Sequence, residues 1–400
     1  MTPRVLMVTG AYPPEPSGGG HACRALLQAL GGAIKPIVLT TSTDPALPPR
    51  QIVDDVLVHR VLIRSGPARL LDAVQLTRTA RELIRDADLV HLHGFSSKAI
   101  ALRALTRAAG VPMVLTLHTA GHDEPETVRR RGRLAWRAYG AMDRYVAVSP
   151  RLAARGREWL PADRLVEIPN GIDLARFAPV DPEQRRLLRR ALELPKDALL
   201  VLFVGYFSQD KGPQRIFQAW RTIAEAFPRC HILFVGATRP GHGEIDPSLA
   251  PSIRDASALL GLSERVHLIE RSARIEAYYQ TADLFAFPSV REAMPMALLE
   301  AMAAGLACVA IRLPQATDAL IDHGVSGWLT DTHPDNLVDA LRTLLPDAQR
   351  RAAMGRAARQ TAARYDIAHA ARAHLALYDA LLSRRGGSTT PPVRAEVRIA

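Results

Sequence analysis

Four hundred residues exceed what one hydrophobic core usually serves, so two domains of roughly 150 to 200 residues are expected. Nearly half of the residues are hydrophobic and under a quarter are charged, which excludes a disordered chain, and three scattered cysteines, Cys23, Cys230 and Cys308, give no spacing for a disulfide framework or a zinc site. The formal charge of +11 implies an anionic partner, but with no zinc finger, no RNA-binding signature and 5% aromatic residues to stack on bases, nucleic acid is not expected.

In chain order, "MTPRVLMVTGAYPP" meets prolines after a short apolar run and reads as a first strand (4–9), not a signal peptide. Further strands are expected over 36–41, 89–93, 113–118 and 145–149, with helical periodicity between them. The pattern then restarts at 199–205, 231–236, 266–270, 284–288 and 308–311. Strand, glycine-containing loop and amphipathic helix open both halves, so each is expected to be a Rossmann-like domain, α/β with a doubly wound, mostly parallel sheet. Prolines and Asn170-Gly171 cluster in "IPNGIDLARFAPVDPEQ" (168–184) and mark the boundary, giving domains at 1–172 and 180–362. A helix over about 365–384 is apolar enough on one face to dock somewhere, ahead of a polar tail at 385–400. The most apolar long stretch, "MPMALLEAMAAGLACVAI", is broken by Glu300 and Gly305 and is shorter than the ~20 residues a bilayer span needs.

Ligands of open α/β sheets bind beyond the carboxyl ends of the strands, which directs attention to the loops there. After the first strand, Gly18, Gly19 and Gly20 precede a helix expected to start near His21, and unshielded backbone at a helix start approaches an anion closely. A flexible loop is the plainer reading of the same glycines. His91, His93 and His118 fall at neighbouring strand ends; no acid or cysteine completes a metal set by spacing, and no metal is expected. His91 and His93 alternate along a strand, so one is expected to point inward as a core histidine, while His118 is the better cleft candidate. Asp86 and Asp88 form an Asp-x-Asp pair at the wrong end of a strand for metal binding. Arg129, Arg130, Arg131, Arg133 and Arg137 lie with Trp136 and Tyr139 on one expected helix, which is either a solvated face or a surface that rests on anionic headgroups.

In the second half, "LFVGYFSQDKGP" breaks at Gly205 and presents Lys211 just before a helix that Pro213 opens. Only four of the 51 basic residues are lysines, so a compact ammonium here stands out, although an ordinary surface lysine fits the bare pattern too. "PSVREAMPMALLEAMAAG" places Glu292 in a loop and Glu300 in the second turn of a helix opened by Pro295. The first amides of that helix, around Met296, Ala297 and Leu298, make a second anion cradle. Carboxylates only accept hydrogen bonds, which suits the hydroxyls of sugar and ribose.

Together and in order, "PPEPSGGG", "VHLHG", "TLHT", "AVSP", "IPNGID", "VGYFSQDKG", "PSVREAMPMALLEAMAAG" and "HGVSGWL" resemble the retaining glycosyltransferases of family 4, whose GT-B fold is two facing Rossmann-like domains with a cleft between them. The resemblance covers most of the chain, and the long glutamate motif is its most specific part. It implies a donor-sugar contact for Glu292, a ribose contact for Glu300, diphosphate binding by Lys211, and a place near the phosphates and acceptor for Gly19 and Gly20. Gly205 and Tyr206 lie in the same lysine loop. His118 falls on a histidine that touches the donor sugar, and the resemblance also implies that the helix over about 365–384 packs back on the first domain.

Two departures stand out. Tyr206 occupies a position where the family often has arginine, so one cation on the diphosphate is missing unless Arg291 or Arg271 replaces it. Ala293 stands where glycine is favoured, which restricts the loop unless φ is negative there. The implied activity is metal-free, front-face sugar transfer from a nucleoside-diphosphate sugar to a glycan or lipid-linked acceptor, with no cofactor. A cytoplasmic location follows from the cysteines, with the basic patch 129–137 as a route to the inner membrane face. Rival readings are a nucleotide-sugar-binding protein without turnover, favoured by Tyr206, and a sugar-nucleotide epimerase on the same architecture.

Overall fold

A computed structural model describes residues 2–15, 17–238, 244–270 and 272–385 of the chain. It divides into two compact units: the chain up to Gly171 together with the chain from Ile367 onward, and Ile172–Asp366. The chain therefore passes between them twice, at 171–172 and at 366–367.

The first unit holds strands β1 (Arg4–Val8), β2 (Lys35–Ser42), β3 (Arg50–Val53), β4 (Val56–Leu62), β5 (Leu89–His93), β6 (Met113–Leu117), β7 (Arg144–Ala147) and β8 (Leu165–Glu167). They form one sheet in the order β3-β4-β2-β1-β5-β6-β7-β8, parallel except for the antiparallel β3–β4 pair. The second unit holds β9 (Leu199–Val204), β10 (Cys230–Val235), β11 (Val266–Ile269), β12 (Leu284–Phe287), β13 (Ala307–Ile311) and β14 (Trp328–Thr330). Their order is β11-β10-β9-β12-β13-β14, and every pairing is parallel.

Central strands such as β5, β6 and β13 are buried at every residue, as strands covered on both faces must be. That is why they read as largely apolar runs, with His91, His93 and Thr116 as the polar exceptions in β5 and β6. All ten expected strands are present, within about two residues of their expected ends. Four more, β3, β4, β8 and β14, escaped the periodicity. In the β3–β4 hairpin the turn residues are Asp54 and Asp55 at φ 48° and 62°, where Asn-Gly would have announced a tight turn. The left-handed Asp54 is held from outside: its carboxylate accepts from Gln28 Nε2 at 3.0 Å and from Arg24 Nη2 at 3.0 Å.

Sheet order fixes where ligands can be met. Strand β1 sits where the first sheet reverses its winding, between β2 and β5, and β9 occupies the same place in the second, between β10 and β12. Carboxyl-end loops at such a reversal are the ligand sites of doubly wound folds. The glycine run follows β1 and the lysine loop follows β9.

Helix Pro213–Ile223 packs beside β9 through Ile216, Phe217, Ala219, Trp220 and Ile223. Full burial of each large side chain contributes about 1.5–3 kcal/mol, which anchors the loop before the helix. In the first unit, helix Ile367–Arg385 sinks Ala370, Ala371, Leu377, Tyr378 and Leu381 into the core that also holds Leu26, Leu27 and Leu30. Gly171 makes that crossing possible, because a Cβ there would lie 2.3 Å from Ile367 Cα. Cys23, Cys230 and Cys308 are free and buried. Of the expected polar tail, residues 386–400 lie outside the described residues.

Candidate functional site

In the second unit, β9 ends at Val204 and the chain turns through Gly205, whose amide donates to Val235 O at 3.1 Å. Ser208 organises the loop: its Oγ accepts from Lys211 N at 3.3 Å and its carbonyl from Gly212 N at 3.0 Å. Gly212 has φ 71°, and a Cβ there would come 2.7 Å from Pro288 O, so glycine is required where the β9 and β12 loops touch. A backbone bond from Val290 N to Asp210 O, 2.9 Å, ties the same loops together.

Across this junction Lys211 Nζ lies 2.7 Å from Glu292 Oε1, which also accepts from Ser289 Oγ at 2.6 Å. The lysine side chain is 27% exposed and the glutamate side chain 8%, so the pair is largely withdrawn from solvent on the glutamate side. Glu300 sits in the second turn of helix Met296–Ala303, and its Oε2 accepts from Tyr279 Oη at 2.7 Å. Burial pushes the Glu300 carboxyl up to about 7, against the pull of the Tyr279 hydroxyl and Arg176.

The expected amide cradle is smaller than its sequence suggests. Leu298 N donates to Pro295 O at 3.1 Å and its side chain is fully buried, leaving the Met296 and Ala297 amides without a partner among the described residues. The early turn closed on Pro295 spends the third amide. Ala293 is buried and is not among the residues with positive φ, so the loop accommodates its methyl group. Arg291 pairs with Asp210 at 2.6 Å and with Glu244 at 3.7 Å, so its guanidinium is already engaged. Tyr206 is partly buried, and that burial raises its phenol. Arg271 lies outside the described residues.

In the first unit the glycine helix starts three residues earlier than expected. It spans Gly18–Leu30, and Ser17 Oγ caps it by accepting from Gly20 N at 3.2 Å. Three glycines are weak helix formers, which is why the sequence reads as loop; the cap overrides them. Gly20 belongs to close packing, since a Cβ there would lie 2.3 Å from Ala11 O. Gly19 faces the imidazole of His118 instead, with 3.7 Å from its absent Cβ to His118 Cδ2.

His118 N donates to Asp123 Oδ2 at 2.8 Å, and the same buried carboxylate accepts from Phe95 N at 2.8 Å and Thr119 N at 2.9 Å. Asp123 was missed in the sequence; its signal is an acid five residues past a strand-end histidine, in position to collect loop amides. Burial pushes His118 down to about 4, with Asp123 opposing. His93 Nδ1 lies 2.9 Å from His118 Nε2.

The expectation that His91 and His93 diverge is wrong. Residues two apart on a strand share a face, and the two rings stack with centroids 4.3 Å apart, both buried. His91 is the satisfied core histidine, bonded to Tyr378 Oη and Thr116 Oγ1 at 2.6 Å each. Asp88 accepts from Arg4 N at 2.8 Å, at the amino ends of β1 and β5, away from these loops. Among the described residues no group of His, Cys, Asp or Glu side chains is placed to hold a metal ion.

The basic stretch is two helices, Pro125–Arg130 and Arg133–Tyr139, because Gly132 at φ 109° interrupts the expected single one. Arg129 lies over Trp159, 5.3 Å from its ring centre, and Arg131 donates to Phe95 O and His122 O. Arg130, Arg133 and Arg137 are exposed, with Leu134 71% exposed among them. No described helix is long and apolar enough to cross a membrane.

Comparison with known proteins agrees with this architecture. Residues 16–176 match the model of Glycosyltransferase Family 4 and residues 184–361 that of Glycosyl transferases group 1. The D-inositol 3-phosphate glycosyltransferase of Salinispora tropica is 32% identical, over 81% of this chain and 73% of its own length. That of Xylanimonas cellulosilytica is 31% identical, over 87% and 88%. Among solved structures, Anabaena Alr3699/HepE in complex with UDP and glucose matches with a TM-score of 0.74 at 19% identity, covering 95% of this chain and 100% of that one. WaaG, a glycosyltransferase involved in lipopolysaccharide biosynthesis, matches at 0.71 and 18%, covering 94% and 99%. These likenesses establish two parallel-sheet α/β domains of the GT-B kind.

Proposed function

The chain belongs to glycosyltransferase family 4, and on that premise we propose that it transfers a sugar from a nucleoside-diphosphate sugar to an acceptor hydroxyl, with retention and without a metal ion. The observation that carries the proposal is the Lys211–Glu292 pair at 2.7 Å, at the carboxyl ends of β9 and β12. In the transfer, the bond between the anomeric carbon and the diphosphate oxygen breaks and the acceptor oxygen bonds to the same face of that carbon. Its proton leaves on the departing diphosphate. Negative charge grows on the leaving group, and a preorganised ammonium is the group that stabilises it.

Glu292 holds that ammonium in the free protein, so a bound diphosphate exchanges with the carboxylate for Lys211. Released, Glu292 is left to accept from donor-sugar hydroxyls. Glu300, as a carboxylate, accepts from ribose hydroxyls, and the Met296 and Ala297 amides add the positive end of a helix. His118 and Gly19 are assigned to the donor sugar and its phosphates from the first unit. For the acceptor, the relatives' names point to D-inositol 3-phosphate, whereas the exposed arginines around Leu134 favour a lipid-linked glycan met at an anionic membrane surface.

A thermal-shift screen against UDP, GDP, ADP and TDP tests the reading, with UDP first because a structural relative is described in complex with it. A bound nucleotide stabilises by about 2.7 kcal/mol at a hundredfold excess over Kd. No shift with any of the four contradicts the proposal. With the donor known, transfer to inositol phosphate or to a lipid-linked acceptor in the presence of EDTA, with the product anomer read by NMR, tests acceptor, metal independence and retention.

A further inference from the structure

We infer that His93 is a positioning residue that keeps the proton of His118 on Nδ1, so that His118 meets its ligand as a hydrogen-bond donor. The inference rests on the reading above that His118 touches the donor.

His93 Nδ1 and His118 Nε2 are 2.9 Å apart, so one proton lies between them. Both rings are neutral near pH 7, since burial and the neighbouring imidazoles depress His93 and burial pushes His118 down to about 4. Two arrangements remain. In the first, His93 donates from Nδ1, His118 Nε2 accepts, and the other His118 nitrogen, Nδ1, carries its proton. In the second, His118 donates from Nε2, and His93 must carry its own proton on Nε2.

His93 Nε2 decides between them. It is buried and has no hydrogen-bond partner among the described residues, in a residue only 7% exposed. His93 lines a recess of about 20 Å³ together with Thr116, His118, Asn170 and His374. The second arrangement leaves an N–H orphaned there; the first leaves only a lone pair. Orphaned buried N–H groups are the rarer and costlier of the two. His374 does not offset this by donating to His93 Nε2, because its Nδ1 bonds to the Ala370 carbonyl at 2.8 Å, which requires the proton on Nδ1 and leaves its Nε2 an acceptor. Any water entering the recess then finds acceptor nitrogens for its two protons. His118 Nδ1 has no partner among the described residues and is free to donate.

The direct test is two-bond ¹⁵N–¹H correlation on the full chain labelled at histidine, at pH 7, with His118 assigned from His118→Gln. The expected spectrum is that of an imidazole protonated at Nδ1; an Nε2-protonated His118 overturns the inference. His93→Phe keeps a ring against His91 but supplies no donor, and should dissolve the preference, while His93→Asn, with an amide N–H, should restore it. A His118 that stays wholly Nδ1-protonated in His93→Phe shows that His93 is not the cause. Kinetics separate this inference from the reading beneath it. Loss of one hydrogen bond lowers kcat by up to about tenfold in His93→Phe if His118 touches the donor, with KM little changed. A preference lost with kcat unchanged refutes the assignment of His118 to the donor and leaves the tautomer standing.

Discussion

At the carboxyl ends of β9 and β12 the second unit carries a lysine against a buried glutamate, with another glutamate one helix turn into the chain beyond. The carboxyl ends of β5 and β6 in the first unit carry imidazoles that burial keeps uncharged, beside a glycine from the helix after β1. Both sites follow the same winding logic, yet one is ionic and the other neutral. Under the proposed transfer, the leaving diphosphate falls to the second unit, where charge can be met with charge, and shaping and orienting fall to the first.

The largest expected effect breaks the ionic side. Lys211→Met removes the ammonium and strands Glu292, and kcat in a transferase assay is expected to fall about 10²- to 10³-fold. A loss below threefold would show that the charge of the second unit lies elsewhere. In the first unit the expected damage is to packing. Gly20→Ala drives a methyl into Ala11 O and should cost roughly 1–3 kcal/mol, several degrees of Tm, by calorimetry. Gly19→Ala makes only an ordinary 3.7 Å contact with His118 within a helix that favours alanine, and should leave Tm unchanged or slightly higher; equal losses at the two positions would contradict the division of roles between them.

Glu300→Gln sharpens the contrast in pH. Folding raises this carboxyl from 4.5 to about 7, so the folded protein holds a proton that the unfolded chain has released between those values. Stability from Glu300 is therefore present below pH 4.5 and lost as pH rises through about 7. Glutamine does not titrate, so the Tm of the variant relative to wild type should climb across that window and level off above it, while nucleotide binding weakens. A constant difference from pH 4.5 to 8 would show that the acid is not perturbed. The smallest expected change is at Tyr206→Arg, which supplies the cation the family often has there. Diphosphate affinity should rise a few-fold, and more at low salt, since attraction between partly exposed charges is screened.

Much of this was legible in the sequence. Nine of the ten expected strands lie inside their sheets and announced themselves as short, largely apolar runs, the tenth being the edge strand β11, and Lys211, Glu292 and Glu300 drew attention because chemistry-bearing residues flank Gly, Pro and strand ends. The β3–β4 hairpin was not, since its turn is Asp54-Asp55 and the left-handed Asp54 is held by Arg24 and Gln28 from a helix far away in sequence. Nor was the start of the glycine helix, which depends on one serine cap outweighing three poor helix formers. The His93–His118 bond and the reach of Asp123 to Phe95 N are invisible for the same reason: each is a contact between segments about 25 residues or more apart that no local periodicity encodes.

The central claim is that Lys211 receives the diphosphate. Calorimetric affinities of the preferred nucleoside diphosphate and of its monophosphate, measured for wild type and for Lys211→Met, test it most directly. Wild type should favour the diphosphate clearly, and the variant should bind both about equally. A preference for the diphosphate that survives unchanged without the ammonium contradicts the account.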